Sequence, residues 1–253
     1  MTRVYSSIGA ALLAGAVFFG SAGAAYADGP TITGNIALTT DYEFRGLSQT
    51  QHSAAVQGGF DLTDGQFYAG TWASNLNFGS SGASQIHVPM EFDVYGGWRP
   101  KVGPVSLDLG AIGYLYPDAH DLPAGSFNYW EVKAAGTITP ITPLTLGATV
   151  NFSPEFPAKG GNAWYEEINA SYAVNDSLSI SGAVGHQSAD AAGYFVTTTG
   201  AVSDYTTWNV GATFTTHGFL FDLRYVGANQ DIVNFAGQEV SDDTVVLSIK
   251  RSL

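Results

Sequence analysis

The chain has 253 residues, of which 45% are hydrophobic and only 12% charged, with 31 glycines and no cysteine. The missing cysteine excludes a disulfide framework, a thiolate metal site and a cysteine nucleophile. With 22 acids against 9 bases the formal net charge is -13, which argues against a phosphate-binding nucleic-acid surface, so no nucleic-acid partner is expected. Mean hydropathy is +0.07, too low for a bundle of membrane helices. Abundant glycine with 15 Phe, 13 Tyr and 5 Trp suits a sheet that faces lipid on one side and water on the other.

Residues 1–27 read as a secretory signal. Arg3 supplies the positive start, Ile8 to Phe19 the apolar stretch, and Ala25-Tyr26-Ala27 the small-residue cleavage site before Asp28. No later stretch holds the ~18 uninterrupted apolar residues that a spanning helix needs. The expectation is a cleaved signal peptide over 1–27 and one domain over 28–253.

From Gly29 onward, period-two polarity marks twelve strand segments: 31–45, 53–62, 66–75, 88–98, 104–116, 127–138, 142–153, 163–173, 177–186, 204–214, 218–227 and 243–253. The clearest is 218–227, where Phe219, Phe221, Leu223 and Tyr225 share one face and Leu220, Asp222, Arg224 and Val226 the other. In 142–153, Leu144, Leu146, Ala148, Val150 and Phe152 alternate with Thr145, Gly147, Thr149 and Asn151. Two segments resist assignment. In 66–75, Phe67/Ala69 and Tyr68/Trp72 compete for the outer face, and in 163–173 Glu166 shares parity with Trp164 and Ile168, so it points at lipid unless a bulge resets the register.

The connections alternate short and long. The short ones are 63–65, 99–103, 139–142, 175–176 and 216–217; the long ones are 46–52, 77–87, 117–126, 154–162, 187–203 and 228–242. Tight turns on one rim and longer loops on the other are the pattern of an up-and-down membrane barrel; a Greek-key sandwich has no reason for it. The predicted fold is therefore an all-β, antiparallel, transmembrane barrel of about 12 strands, with 10 or 14 as alternatives. Trp130, Trp164 and Trp208 each stand just after a long loop, at a matching depth that predicts an interfacial aromatic girdle.

By the same parity, Asp41, Glu43, Arg45, Asp61, Glu91, Asp93, Asp108, Glu131, Lys133, Glu167, Asp222 and Arg224 face the lumen, nine acids and three bases. Such a set lines a cation-preferring pore or, with Arg45, Lys133 and Arg224 as hubs, salt-bridges the lumen shut. Thr50 and Gln51 are expected at the outer mouth. Acids in the long loops, among them Asp118, Asp121, Glu155, Asp190, Asp204, Asp231, Glu239, Asp242 and Asp243, keep the outer rim solvated or bridge to lipopolysaccharide through divalent cations.

The stretch Asp41-Tyr-Glu-Phe-Arg-Gly-Leu-Ser-Gln-Thr50, followed by Val56-Gln-Gly-Gly-Phe-Asp61 and Gly70-Thr-Trp-Ala-Ser-Asn75, resembles the TorF family of porin-type proteins, the Gcw_chp domain family. Glu91-Phe-Asp-Val-Tyr-Gly-Gly97 and Leu109 to Pro117 fit its pattern as well. The resemblance implies an outer-membrane β-barrel of porin type and brings no substrate with it.

No phosphate loop, zinc-binding His-Glu helix motif or nucleophile elbow is present. The five histidines, His52, His87, His120, His186 and His217, fall in or beside connections and read as solvated, with neither a catalytic nor a metal role expected. Ser188 beside His186 is weak ground for a hydrolase, because such sites are recognised by geometry. The expected function is passive diffusion of small hydrophilic solutes through the outer membrane, without enzymatic turnover or cofactor. The expected partners are outer-membrane lipid, lipopolysaccharide and the barrel-assembly machinery. The alternatives are a barrel enzyme or binding platform, and a structural barrel with a closed lumen.

Overall fold

The computed structural model describes residues 29–79, 87–119, 126–234 and 236–253. The signal peptide expected over 1–27 lies outside the described residues, as do His120 and Asp121.

Twelve long strands follow one another: β1 (Thr31–Thr39), β2 (Ala55–Asp64), β3 (Phe67–Asn75), β4 (Met90–Trp98), β5 (Val105–Leu115), β6 (Tyr129–Ile141), β7 (Leu144–Phe156), β8 (Gly161–Ala173), β9 (Leu178–Ala189), β10 (Asp204–Thr216), β11 (Phe219–Ala228) and β12 (Thr244–Ser252). Each pairs antiparallel with the next, and β12 returns to β1 with Thr39 opposite Ser248 and Asn35 opposite Ser252, which closes the ring. A short extra strand, Lys101–Val102, folds back on β5. Closure leaves the ring without the unpaired edge that a sheet otherwise exposes.

The faces are inverted relative to a soluble protein. Along β11, Phe219, Phe221, Leu223 and Tyr225 are outward and exposed, while Asp222, Arg224 and Val226 are buried inside. Exposed Ile32, Ile36 and Leu38 on β1 and Val245, Leu247 and Ile249 on β12 continue the outer surface, and Glu91, Asp93, Glu131 and Glu167 are buried within. On β3 Tyr68 and Trp72 point inward and Phe67 outward. Glu166 stays on the outer face, opposite His186 in the β8–β9 register.

Tight hairpins form one rim. His217 and Gly218 both have positive φ (49° and 78°), the two-residue turn whose twist matches the flanking strands. On the other rim the expected long connection 154–162 shrinks to 157–160, because β7 continues past a register shift between Ser153 and Phe156 and β8 begins at Gly161. His186, at the end of the expected segment 177–186, lies inside β9, which runs on to Ala189. Among the described residues the one helical element is a 3-10 turn, Pro157–Lys159, and no helix is long and apolar enough to cross a membrane, which says nothing of crossing by strands.

The first strand departs most from the expected pattern. It ends at Thr39 rather than continuing to 45, and residues 40–54 turn into the lumen. There Glu43–Phe44 pairs with Leu47–Ser48 around a two-residue turn, Arg45-Gly46, both at positive φ (52° and 75°). Asp41, Glu43 and Arg45 therefore stand on an inward loop, not on the barrel wall. The acid–base alternation of this stretch imitates a strand because a two-residue hairpin also keeps its flanking residues extended.

Candidate functional site

Loop 40–54 runs from β1 to the far wall. Its Tyr42 hydroxyl donates to Glu91 Oε1 on β4 at 2.8 Å, and its ring meets Trp72 of β3 edge-on at 5.4 Å. From the hairpin tip, Arg45 reaches β6 and β9. Nη1 and Nη2 donate to the two oxygens of Glu131 at 2.9 and 2.6 Å, and Nη1 also to Gln187 Oε1 at 2.7 Å. The guanidinium is sandwiched between the rings of Phe44 (4.7 Å) and Tyr165 (4.3 Å). Burial by itself would lower the Arg45 pKa; the charge and hydrogen bonds of Glu131, together with Tyr114 and Tyr129, offset it and hold the group above its usual value. Glu131 takes further bonds from Asn151 Nδ2 (2.9 Å) and the Tyr114 hydroxyl (3.2 Å). Beyond Arg45, Gly46 abuts Thr207 of β10 and the Gly227 carbonyl of β11, so the tip rests on the wall two to three strands from β1.

The other connections on this rim lock onto the loop. Ser48 N–H donates to the Val240 carbonyl, Asn77 N–H to the Gln49 carbonyl, and Gln51 Nε2 to Gln238 Oε1. Aromatic and aliphatic residues, including Tyr114, Tyr129, Phe195, Tyr205, Ile232 and Val240, fill the space around it. Thr50, expected at the outer mouth, is buried beside Asp41 instead, at 2.9 Å from its Oδ1; its short hydroxyl fits between the two legs of the loop.

Inside the loop, Asp41 Oδ1 accepts from Ser48 Oγ at 2.6 Å, and Asp41 Oδ2 meets His52 Nδ1 at 2.8 Å. Burial, with the neighbouring Asp41 carboxylate second, pushes the Glu43 carboxyl well above the usual carboxylate range.

Towards the short-turn rim two further ion-pair networks line the wall. Lys133 Nζ (2.8 Å) and the Tyr68 hydroxyl (2.7 Å) both donate to Asp108. Arg99 covers the Tyr68 ring at 3.8 Å and approaches the same carboxylate at 3.5 Å. Across the barrel Arg224 binds both oxygens of Asp222 at 3.1 Å, Asn209 at 2.6 Å and Ser181 at 3.0 Å, and Thr213 also donates to Asp222. Asp61 accepts from Tyr95, and Glu167 from Tyr165 and Asn169. Asp93 is 0% exposed, yet neither of its oxygens has a hydrogen-bond partner.

Every strand residue named from parity thus faces inward, while the three named from the first segment sit on the loop. Sequence reasoning missed Lys250, which shares parity with inward Val246 and Ser248 and was legible from that; it also missed Arg99, whose turn gives no parity to read. Trp130 and Trp164 are exposed on the outer face, at 51% and 43%, and Trp208 is half-buried there.

No curated protein matches the sequence. In fold, the chain is similar to the NanC porin, at a TM-score of 0.59 and 8% identity over 88% of this chain and 100% of that one. It is similar too to the KdgM porin, at 0.57 and 9% over 87% and 99%; KdgM was also solved in complex with disordered oligogalacturonate. These likenesses are to the twelve-stranded closed barrel. At the level of sequence, the model of the family described as "Bacterial protein of unknown function (Gcw_chp)" matches residues 23–253, the whole ring and its inward loop, and the chain belongs to that family.

Proposed function

We propose that the chain is exported by a signal over residues 1–27, inserts into the outer membrane and forms a channel for passive diffusion of small hydrophilic solutes, with a preference for cations. One observation carries this reading: a closed ring whose outer wall is exposed and apolar while its inner wall holds charged networks. An apolar outside suits lipid, and a polar inside suits water and solutes. The resemblance of Asp41 to Thr50 to TorF porins supports the same reading. Trp130, Trp164 and Trp208 then mark the outer interface, and the acids of the long loops, Asp190, Asp231 and Glu239 among them, face lipopolysaccharide.

Loop 40–54 is the constriction of this channel. Around and below it Asp41, Glu43, Asp61, Glu91, Asp93, Asp108, Glu131, Glu167 and Asp222 outnumber Arg45, Arg99, Lys133, Arg224 and Lys250, and an acidic lining favours cations. Oligogalacturonate, the ligand in one KdgM structure, is a polyanion, and this lining argues against such a solute.

The test is single-channel recording of the refolded chain in a planar bilayer under a salt gradient. The expected result is small discrete steps with a cation-biased reversal potential. Silence from a barrel of demonstrated heat-modifiable gel mobility would overturn the channel, and an anion-biased potential would overturn the role of the acids.

A further inference from the structure

The base of loop 40–54 brings a second constellation together. Asp41, Glu43 and His52 each present one ligand atom, and the three atoms lie within 4.8 Å of one another. They come from both legs of the loop, two before the Arg45-Gly46 tip and one after it. Asp41 is oriented for the purpose. Ser48 and Thr50 hold its Oδ1 at 2.6 and 2.9 Å, which turns Oδ2 towards His52 Nδ1. Such secondary hydrogen bonds fix the direction of a coordinating carboxylate.

An independent observation sits beside them. Glu43 Oε1 is shut off from solvent and meets no hydrogen-bond donor. A shielded carboxyl oxygen without a donor, next to a second carboxyl group, is a costly arrangement that a cation relieves. The donor set narrows the cation. An imidazole nitrogen disfavours Ca²⁺ and Mg²⁺, which prefer oxygen alone, and the absence of thiolate disfavours Cu⁺. Two carboxylates and one neutral imidazole suit Zn²⁺ or a neighbouring first-row divalent ion, with water in a fourth position. The His52 side chain, 34% exposed, leaves a route for that water.

We propose that Asp41, Glu43 and His52 form a binding site for a divalent transition-metal ion that clamps the two legs of the inward loop. Coordination uses the neutral imidazole of His52, with its one proton on the ring nitrogen that faces away from the ion. Because the same loop carries Arg45, an occupied site holds the hairpin tip in the lumen. The inference concerns the loop alone and stands whether or not the barrel conducts.

The experiment is calorimetric titration of the refolded full-length barrel in detergent with Zn²⁺, in an excess of Mg²⁺ and Ca²⁺. One saturable site per chain is expected. Glu43→Gln, which keeps the shape and removes no hydrogen bond of Oε1, and His52→Ala are each expected to weaken it by at least about tenfold. His186→Ala, on the outer wall, is expected to leave it unchanged. Absence of saturable Zn²⁺ binding by a folded barrel overturns the site, as does an equal effect of Glu43→Gln and His186→Ala. A second readout needs no variant: diethyl pyrocarbonate modification of His52, mapped by mass spectrometry, is expected to be suppressed by Zn²⁺, and unprotected His52 overturns the site. A barrel that conducts without binding Zn²⁺ refutes only this site; one that binds Zn²⁺ and stays silent refutes only the channel.

Discussion

Arg45 is the residue on which the lumen turns. A planar guanidinium matches both oxygens of a carboxylate at once, and here Glu131 meets it at 2.9 and 2.6 Å between two aromatic rings. Removing one partner of a buried pair costs ~3–5 kcal/mol, mostly by stranding the other charge. In Arg45→Ala, Glu131 keeps only Tyr114 and Asn151. The barrel ladder does not depend on this pair, so the loss falls on the loop, which leaves its docked position. The expected outcome is a larger unitary conductance and a stronger cation bias, with the heat resistance of the barrel preserved. Arg45→Lys does not restore the wild-type value, because one ammonium cannot bond both oxygens in plane. Unchanged conductance in Arg45→Ala would show that the loop is not the constriction.

At the scale of elements, most of the twelve strands were legible because they carry a period of two, and the rims were legible because turn length alternates. The inward loop was not. Asp41, Glu43 and Arg45 continue the spacing of a strand, and Arg-Gly is not among the usual signals for a two-residue turn. The partners of Arg45 on β6 and β9 lie 86 and 142 residues away, beyond the reach of any local pattern. What the sequence did carry was Gly46. It is needed twice: its φ of 75° is strained for any residue with a Cβ, and that Cβ would run into Thr207. The left-handed conformation alone costs ~1–2 kcal/mol in a side-chain-bearing residue. Gly46→Val is therefore expected to withdraw the hairpin tip while leaving the ring intact. Limited trypsin digestion checks this, since Arg45 is buried when docked: the variant is cut after Arg45 under conditions where the wild type is not. Equal resistance would mean that the tip tolerates a side chain.

For the whole molecule, the inverted distribution of polarity decides the solvent. A soluble closed barrel would gain nothing from a continuous outer surface of Ile32, Leu38, Phe60, Val184, Leu223 and Leu247. In lipid that surface is the means of insertion, and a basic residue placed on it at mid-depth costs ~2–4 kcal/mol. Leu223 is 55% exposed near the middle of β11, flanked along the strand by outward Phe221 and Tyr225. In Leu223→Arg the guanidinium must sit in hydrocarbon or drag the strand towards an interface, and neither neighbour offers it a carboxylate. The expected loss is ~2–4 kcal/mol, read by urea unfolding in lipid vesicles. In water the same substitution would replace an exposed leucine by a solvated arginine, where a surface change is worth no more than ~0.5 kcal/mol. The size of the loss in vesicles therefore measures whether this wall faces lipid: a value near the lower figure would remove the membrane from the account, and a value in the upper range places the middle of β11 in the bilayer core.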